Sequence, residues 1–252
     1  MSYYLEKPKN ADQKQEYWEI GLGLQSTDGL TPSEYVVSLS YENIRENKGY
    51  DEVITDLNKY YIWKKSSNRT MEADFASVKI AEILSTDAFS LSPATLLSYH
   101  KRIFENIEEF THPVGKFRDV NISKKEEVLG GGTVIYSDFN EIIPTLTWDF
   151  EQQKDKNYSN LTNEDIVYDV TKFISNIWQV HPFREGNTRV VAVFLIKYMR
   201  TLGFNLNNNS FKENSKKFRD ALVLHNAPMK LQNKLVLEKF MKNTFLKGEL
   251  SK

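Results

Sequence analysis

Residues 180–189 read VHPFREGNTR, and this polar stretch separates two apolar segments that have the pattern of buried helices. The first segment ends at Ile177-Trp178, and the second runs through residues 190–196. Pro182 restricts the backbone after His181, and Gly186 permits a tight bend. We therefore expect backbone N–H groups at the start of the second helix to converge on one point. Free amides and the helix dipole would attract an anion such as phosphate to that point.

The side chains of this stretch indicate a site for a nucleotide polyphosphate. Asn187 and Arg189 carry donors for further phosphate oxygens. Phosphate would repel the carboxylate of Glu185 unless a cation lay between them, and Mg²⁺ is the usual bridge. Glu185 is therefore the candidate metal ligand. His181 is the candidate general base, because imidazole is suited to taking a proton from an incoming hydroxyl near neutral pH.

The other histidines are predicted to be structural: His100, His112 and His225. A single histidine more often has a structural role than a catalytic one. His112-Pro113 repeats the dipeptide of residues 181–182, but no carboxylate, glycine or asparagine follows it. The functional interpretation thus depends on the whole string in order.

The rest of the chain is predicted to be mainly α-helical, because apolar residues recur three and four positions apart. Thr31-Pro32-Ser33-Glu34 has the pattern of a capping box, and it predicts a helix that stops before Gly49. Ser92-Pro93 predicts the start of another helix, which ends near Phe110. Further helices are expected at about residues 11–25, 51–64, 71–85, 138–154, 163–179, 187–202, 210–225 and 229–246.

Residues 129–136, which read LGGGTVIY, break the helical pattern. Glycines precede a run of β-branched and aromatic residues, as they do in many hairpins. A small β-hairpin and a plain surface loop between helices explain this composition equally well.

The composition excludes several classes of protein. The chain has 252 residues, of which 40% are hydrophobic and 27% charged, and this is typical of a folded globular protein. It has no cysteine, which excludes a disulfide framework, a thiolate metal site and a cysteine nucleophile. A net charge of −1 predicts no nucleic-acid partner. Because no apolar run is long enough to cross a bilayer and no secretory signal opens the sequence, we expect no membrane partner and a cytoplasmic location.

The string from His181 to Arg189 resembles the active-site motif of the Fic family, His-Pro-Phe-x-(Asp/Glu)-Gly-Asn-Gly-Arg-x-x-Arg. Residues 115–118, Gly-Lys-Phe-Arg, are similar to the family's Gly-x-(Tyr/Phe)-Arg element. Its C-terminal element, Asn-x-x-x-Tyr-x-x-Ala-Leu, is similar to the set Asn214, Phe218, Ala221 and Leu222. The resemblance covers about residues 70–225. It implies a mainly α fold, namely a Fic-type helical bundle with a small β-hairpin flap.

The resemblance also implies an activity. The chain would be a protein adenylyltransferase that moves AMP from Mg·ATP to a Ser, Thr or Tyr hydroxyl of a protein target, itself included. His181 would be the catalytic base and Glu185 the ligand of Mg²⁺. The residues implied to bind the nucleotide are Phe183, Gly186, Asn187, Thr188, Arg189 and Asn214. The implied target-docking flap, which would hold an extended target segment by β-strand addition, consists of Thr133, Val134, Ile135 and Tyr136.

The N-terminal part of the chain adds a regulatory element to the resemblance. Residues 38–43, Ser-Leu-Ser-Tyr-Glu-Asn, are similar to the family's inhibitory motif, (Ser/Thr)-x-x-x-Glu-(Gly/Asn). Ser38 and Glu42 are four residues apart, so they would share one helix face. The implied division of the chain is an N-terminal helical region with the inhibitory helix, a Fic catalytic core, and a C-terminal helix that packs on the core, over residues 1–68, 69–226 and 227–252.

Two positions depart from the motif. Thr188 replaces its last Gly, and Ala192 stands at its final Arg, the family's partner for the inhibitory Glu and a contact of the γ-phosphate. We therefore predict weak self-inhibition in which Glu42 relies on Arg189 or on nearby polar donors. Three alternatives stay open: a kinase-like or other nucleotide-phosphate transfer on the same scaffold, a non-catalytic ATP-binding interaction module, and removal of AMP at the same site. A second copy of the chain also stays open as a partner.

Overall fold

The computed structural model describes residues 11–206 and 210–246, and the predicted mainly α-helical fold is confirmed. Within those ranges the chain forms ten α-helices: α1 (Ala11–Gly23), α2 (Glu34–Ile44), α3 (Tyr50–Trp63), α4 (Thr70–Leu84), α5 (Pro93–Phe104), α6 (Ile142–Lys154), α7 (Asn163–Val180), α8 (Asn187–Thr201), α9 (Ser215–His225) and α10 (Lys234–Phe245). Short 3-10 turns cover Leu24–Asp28, Glu127–Leu129 and Phe139–Glu141. Residues 1–10, at the start of the first predicted region, and residues 247–252, at the end of the third, lie outside the described residues.

Helix α8 is the centre of the bundle. It is buried from Asn187 through Met199, and it packs against α4, α5 and α7. A helix that is apolar on every side must be enclosed by other elements, which explains the uninterrupted apolar run of residues 190–196. Helix α1 packs on α4, and α10 packs on α7 and α9. The loop between α7 and α8 therefore lies between two helices whose positions are fixed by the core.

Several helix boundaries differ from the predicted ones. Helix α6 begins at Ile142 rather than at residue 138, and α10 begins at Lys234 rather than at residue 229. Helix α2 begins at Glu34, with Ser33 rather than Thr31 as its N-cap, because Ser33 Oγ accepts from Val36 N at 3.2 Å while both N and Oγ of Ser33 donate to the buried Asp74. Helix α5 ends at Phe104 instead of near Phe110, since Asn106 has a left-handed backbone with φ 63°. Helix α9 begins at Ser215 rather than near residue 210.

The predicted β-hairpin flap is corrected to an irregular loop. Among the described residues, the segment 119–138 contains no β-strand. Two backbone hydrogen bonds close a tight turn, from Glu126 N to Gly132 O at 2.8 Å and from Gly131 N to Glu126 O at 3.0 Å. Beyond that turn no strand ladder holds the four flap residues, Thr133, Val134, Ile135 and Tyr136; the buried side chains of Val134 and Tyr136 attach this segment to the core. We call residues 119–138 the flap loop.

No helix in the described ranges has the length and hydrophobicity required to cross a bilayer.

Candidate active site

Residues 181–186, which we call the motif loop, join α7 to α8 through two left-handed backbone positions. His181 has φ 51° and ends α7, where its N–H donates to Trp178 O at 3.1 Å. Gly186 has φ 78° and precedes α8. A Cβ at Gly186 would lie 2.4 Å from a ring carbon of Phe104, so both the backbone angle and the available space require glycine.

Asn187 fixes the shape of the motif loop. Its Oδ1 accepts from Phe183 N at 2.9 Å, and its Nδ2 donates to Phe183 O at 2.8 Å. The ring of Phe183 is buried and stacks on His100, with centroids 4.0 Å apart. Both residues hold the loop together, and their predicted role in nucleotide binding stays a prediction.

The imidazole of His181 is arranged to accept a proton. Its Nδ1 lies 3.2 Å from the carbonyl oxygen of Trp178. Because a carbonyl only accepts, Nδ1 carries the hydrogen and Nε2 carries a lone pair. Nε2 is buried and has no hydrogen-bond partner among the described residues. Burial, and then the nearby Lys124, lower the pKa of His181 well below its usual value, so the ring is neutral at neutral pH.

Arg118 holds the end of α7 in place. Its Nε donates to His181 O at 2.9 Å, and its Nη2 donates to Val180 O at 3.2 Å and to Ser137 O. Its own N–H donates to Pro182 O at 2.8 Å. One buried guanidinium thus ties the motif loop to the flap loop. The sequence indicated Arg118 only through the family resemblance and gave it no role.

His100 supports the other end of the motif loop, in agreement with its predicted structural role. Gly115 N donates to His100 Nδ1 at 2.9 Å, so the hydrogen is on Nε2, which lies 3.2 Å from Glu185 O. Burial lowers the pKa of His100 to about 4. The neutral ring therefore bridges the segment before the flap loop and the backbone of the candidate metal ligand.

Glu185 is an ionised carboxylate in contact with a cation that sequence reasoning missed. Its Oε2 lies 3.1 Å from Lys124 Nζ, and its Oε1 accepts from Gly186 N at 3.1 Å. Burial acts to raise the pKa of Glu185, but Lys124 and the Gly186 N–H outweigh it and lower the pKa to about 2. No local pattern pointed to Lys124, because 61 residues separate it from Glu185 in the chain.

Arg189 is paired with carboxylates in the core, and its predicted contact with the outer phosphates stays a prediction. The side chain is fully buried over the ring of Phe104. Its Nε lies 2.7 Å from Asp28 Oδ2, its Nη2 lies 2.7 Å from Glu72 Oε1, and its Nη1 donates to Gln25 Oε1 at 3.1 Å. Because α8 is buried on all sides, the Arg189 side chain lies in the core, where Asp28 and Glu72 neutralise its charge.

Thr188 and Asn214 were also predicted to bind the nucleotide. Thr188 Oγ1 accepts from Trp178 Nε1 at 3.0 Å, so the residue that replaces the motif's glycine joins α7 to α8. Asn214 is half-buried before α9, where its carbonyl accepts from Phe218 N at 3.0 Å. The nucleotide role of Asn214 stays a prediction.

The predicted inhibitory residues make local contacts on α2. Ser38 Oγ donates to Tyr35 O at 2.6 Å, and Glu42 Oε2 accepts from Asn47 Nδ2 at 2.9 Å. The buried face of α2 instead carries Val36, Leu39, Ser40 and Asn43, and it packs on α1 and α3. The structure therefore does not bring Ser38 and Glu42 to the motif loop, and the inhibitory helix is not confirmed.

The predicted flap residues separate into buried and exposed positions. Val134 is buried, Thr133 Oγ1 accepts from Ser123 Oγ at 3.2 Å, and Ile135 is 74% exposed. Tyr136 packs its ring on His181, and its hydroxyl donates to Glu126 Oε1 at 3.3 Å. Arg219 of α9 donates from Nη2 to both oxygens of Glu126, at 3.1 and 3.0 Å. The flap loop thus covers the histidine and is attached to α9.

A polar cavity of about 380 Å³ opens beside Glu185, and we call it the cationic cavity. Its walls are Asp28, Arg69, Lys124, Lys125, Glu185 and Arg219. The described residues contain no cluster of three or more His, Cys, Asp or Glu side chains that could enclose a metal. Mg²⁺ commonly uses one or two carboxylates and takes its other ligands from phosphates and water. An ionised Glu185 at the wall of this cavity fits that mode of binding.

Comparisons with known proteins agree with this geometry. Residues 90–199 match the model of the Fic/DOC family. A probable protein adenylyltransferase of Sinorhizobium fredii is 27% identical over 124 residues, which is 49% of this chain and 59% of that protein. The matched stretch is therefore less than two thirds of the relative.

Solved structures show the same fold. The N-terminal Fic domain of a VirB-translocated effector protein from Bartonella sp. AR 15-3 is similar with a TM-score of 0.58 and 18% identity, over 79% of this chain and 85% of that one. The structure of BepC from Bartonella tribocorum with bound AMPPNP is similar with a TM-score of 0.52 and 16% identity, over 75% of this chain and 87% of that one.

Proposed function

Because residues 90–199 are a domain of the Fic/DOC family, we propose that the chain transfers AMP from ATP to a hydroxyl group of a protein. The observation that carries the proposal is the state of His181, whose Nε2 is buried without a hydrogen-bond partner in the described part of the chain while its Nδ1 is held by Trp178 O. A fixed, neutral imidazole with a free lone pair suits a general base. The likeness to a probable protein adenylyltransferase supports AMP as the transferred group.

In the proposed reaction a target hydroxyl attacks the α-phosphorus of ATP. The new bond joins the hydroxyl oxygen to that phosphorus, and the bond from the α-phosphorus to the β-bridging oxygen breaks. The proton of the hydroxyl passes to His181 Nε2, and pyrophosphate leaves. The amides at the start of α8, where Gly186 allows close approach, would stabilise the charge on the phosphoryl oxygens.

Glu185 is proposed to hold Mg²⁺ on the phosphates. The ion would neutralise phosphate charge when bound. The chain contributes a carboxylate that stays ionised across the physiological range, because its pKa is lowered to about 2. Lys124, at 3.1 Å from Glu185 Oε2, balances this charge in the protein itself.

The four flap residues, Thr133 to Tyr136, stay the proposed contact for the target protein. Tyr136 lies on His181, and the neighbouring Ile135 side chain is 74% exposed. A target segment that lies along this part of the flap loop would bring a hydroxyl close to the imidazole. The amino acid that receives AMP would be Ser, Thr or Tyr.

The test is incubation of the purified chain with Mg²⁺ and ATP labelled at the α-phosphate, alone and with candidate target proteins. We expect label in protein for the wild type and for His112→Ala, which changes an exposed histidine outside the site. His181→Ala and Glu185→Gln should abolish it. Label that enters protein from the γ-phosphate instead would indicate a kinase-like transfer. ATP binding without any transfer would favour an interaction module and contradict the proposal.

A further inference from the structure

The family motif in this chain supplies no free cation for the outer phosphates of a nucleotide. Ala192 stands where the motif ends in arginine. Arg189 is enclosed by Asp28, Glu72 and Gln25. Arg184 pairs with Asp119 at 2.6 Å. Positive charge for a polyphosphate must therefore come from outside the motif.

The cationic cavity supplies that charge from three other segments. Arg69 precedes α4, Lys124 and Lys125 belong to the flap loop, and Arg219 belongs to α9. Four cationic side chains thus line the cavity with only two carboxylates, Asp28 and Glu185. Its volume of about 380 Å³ lies within the usual range for small-molecule sites, ~300–1,000 Å³.

Arg69 is fixed so that one edge of its guanidinium stays available. Its Nε and Nη2 donate to the two oxygens of Glu72, each at 2.8 Å, and Glu72 is fully buried. Nη1 has no hydrogen-bond partner in the described ranges. Arg69 and the preceding Asn68 both have left-handed backbones, with φ 57° and 54°. Two successive non-glycine residues in that region are uncommon, and such positions concentrate at functional sites.

Lys125 is the second cation of the cavity that is available to a ligand. It is exposed, it lines the cavity, and it makes no hydrogen bond or ion pair within the described part of the chain. Its neighbour Lys124, by contrast, is paired with Glu185. A free lysine and a fixed arginine in the wall of one cavity can bind phosphate oxygens through charge-assisted hydrogen bonds.

We infer that the cationic cavity binds the β- and γ-phosphates of ATP, with Arg69 and Lys125 supplying the charge that the motif lacks at position 192. This inference rests on the proposed function, because it assigns part of the same substrate. Arg69 and Lys125 both lie within the described ranges. Arg69 lies outside residues 90–199, which match the family model. The binding of the outer phosphates therefore depends on a residue that the family motif does not contain.

The test measures binding without turnover, in the His181→Ala background, by calorimetry with ATP, AMP and inorganic tripolyphosphate. We expect Arg69→Gln to weaken the binding of ATP and tripolyphosphate about ten-fold, as the loss of a charge-assisted contact does. Lys125→Gln should weaken both about three-fold, because an exposed charge is screened by solvent. AMP, which has no outer phosphates, should bind each variant equally. Lys65→Gln, which removes an exposed lysine that does not line the cavity, is the matched control.

Unchanged ATP affinity in Lys125→Gln and Arg69→Gln would overturn the inference, and so would an equal loss for AMP or the absence of tripolyphosphate binding. Lys125→Gln is decisive if Arg69→Gln loses stability through Glu72, since Lys125 has no hydrogen-bond or ion-pair partner in residues 11–206 and 210–246. The measurements distinguish failure of the proposed AMP transfer from failure of the cavity assignment. A chain that transfers AMP and keeps its ATP affinity in both variants retains the proposed function only. A chain that transfers nothing but shows the selective loss retains the cavity assignment only.

Discussion

The imidazole of His181 stacks on the phenol ring of Tyr136, with ring centroids 4.0 Å apart and ring planes 25° apart. Trp178 meets the same imidazole edge-on at 5.2 Å. Together these rings leave His181 only 3% exposed. Tyr136 is in turn bound to Glu126, which Arg219 holds from α9. The flap loop therefore sets the environment, and with it the protonation, of the candidate base.

Removal of the Tyr136 ring should raise the pKa of His181. Burial is the main reason that this pKa is low, so Tyr136→Ala, which admits water, should move it up toward 6.5. A base must be neutral to act, so AMP transfer is lost as pH falls through the pKa. The acid limb of the pH–rate profile should therefore lie at higher pH in Tyr136→Ala than in the wild type.

Tyr136→Phe is the control, because it keeps the ring and should keep the wild-type profile. NMR titration of the His181 ring protons provides a reading that does not depend on activity. Superimposable titration curves for wild type and Tyr136→Ala would show that Tyr136 does not control the base.

Gly186 should tolerate a methyl group less well than Gly203, although both have a left-handed backbone at an end of α8. Their φ angles are 78° and 86°. Alanine at either position carries the conformational penalty of ~1–2 kcal/mol. At Gly203 the new Cβ meets nothing within 4 Å, whereas at Gly186 it would lie 2.4 Å from Phe104. We expect overpacking to cost Gly186→Ala a further ~1–3 kcal/mol.

Urea denaturation of the two variants measures this difference in the free energy of unfolding. Phe104 cannot move away easily, because it stacks on Phe110 at 4.2 Å and lies under Arg189. Equal losses of stability at the two glycines would mean that the core around Phe104 adapts to the methyl group.

The protein should lose stability as pH falls below 6.5, in part through His100. Its folded pKa is lowered to about 4, so the unfolded chain takes up a proton in this window while the folded chain does not. Stability is therefore present above pH 6.5 and is lost progressively down to pH 4. A shift of this size corresponds to about 3 kcal/mol.

His100→Gln removes this titration. Between pH 6.5 and pH 4 the free energy of unfolding of the variant should fall by about 3 kcal/mol less than that of the wild type. Chemical denaturation at a series of pH values gives the two curves. The variant is expected to be less stable at pH 7, so the comparison uses the slopes. Parallel curves would show that His100 is protonated in the folded state.

Local sequence patterns predicted the parts of the molecule that depend on local rules. The apolar run of residues 190–196 predicted the buried helix α8, and the glycine at position 186 predicted the turn before it. His181 and Glu185 lie in one short loop, so their order in the chain determines that they are close. The candidate base and the candidate metal ligand were therefore accessible from sequence.

Contacts between distant segments were not accessible in that way. Lys124 and Glu185 meet across 61 residues, and Arg189 meets Gln25 across 164. A motif identifies the residues of a helix. It does not show which face of that helix the neighbouring elements cover. The sequence consequently assigned Arg189 to phosphate, whereas the packing of α4 and residues 24–28 against α8 gives it to carboxylates. The same limit applies to Ser38 and Glu42, because their shared face on α2 does not face α8.

Arg189 should be a structural residue in the absence of nucleotide. Arg189→Gln leaves the fully buried Glu72 with Arg69 as its one remaining cation, and it leaves Asp28, which is nearly buried, with no ion-pair partner among the described residues. The removal of one partner from a buried ionic cluster costs ~3–5 kcal/mol, because an uncompensated charge stays in the core. We expect the midpoint of urea unfolding to fall accordingly, and the addition of Glu72→Gln to Arg189→Gln to restore part of the loss.

Lys216→Gln, which removes a cation paired only at the surface, should change stability by less than about 1 kcal/mol. If Arg189→Gln left stability nearly intact but strongly weakened ATP binding, the guanidinium would have to leave Asp28 and Glu72 for phosphate, and the motif would then provide a cation to the nucleotide after all.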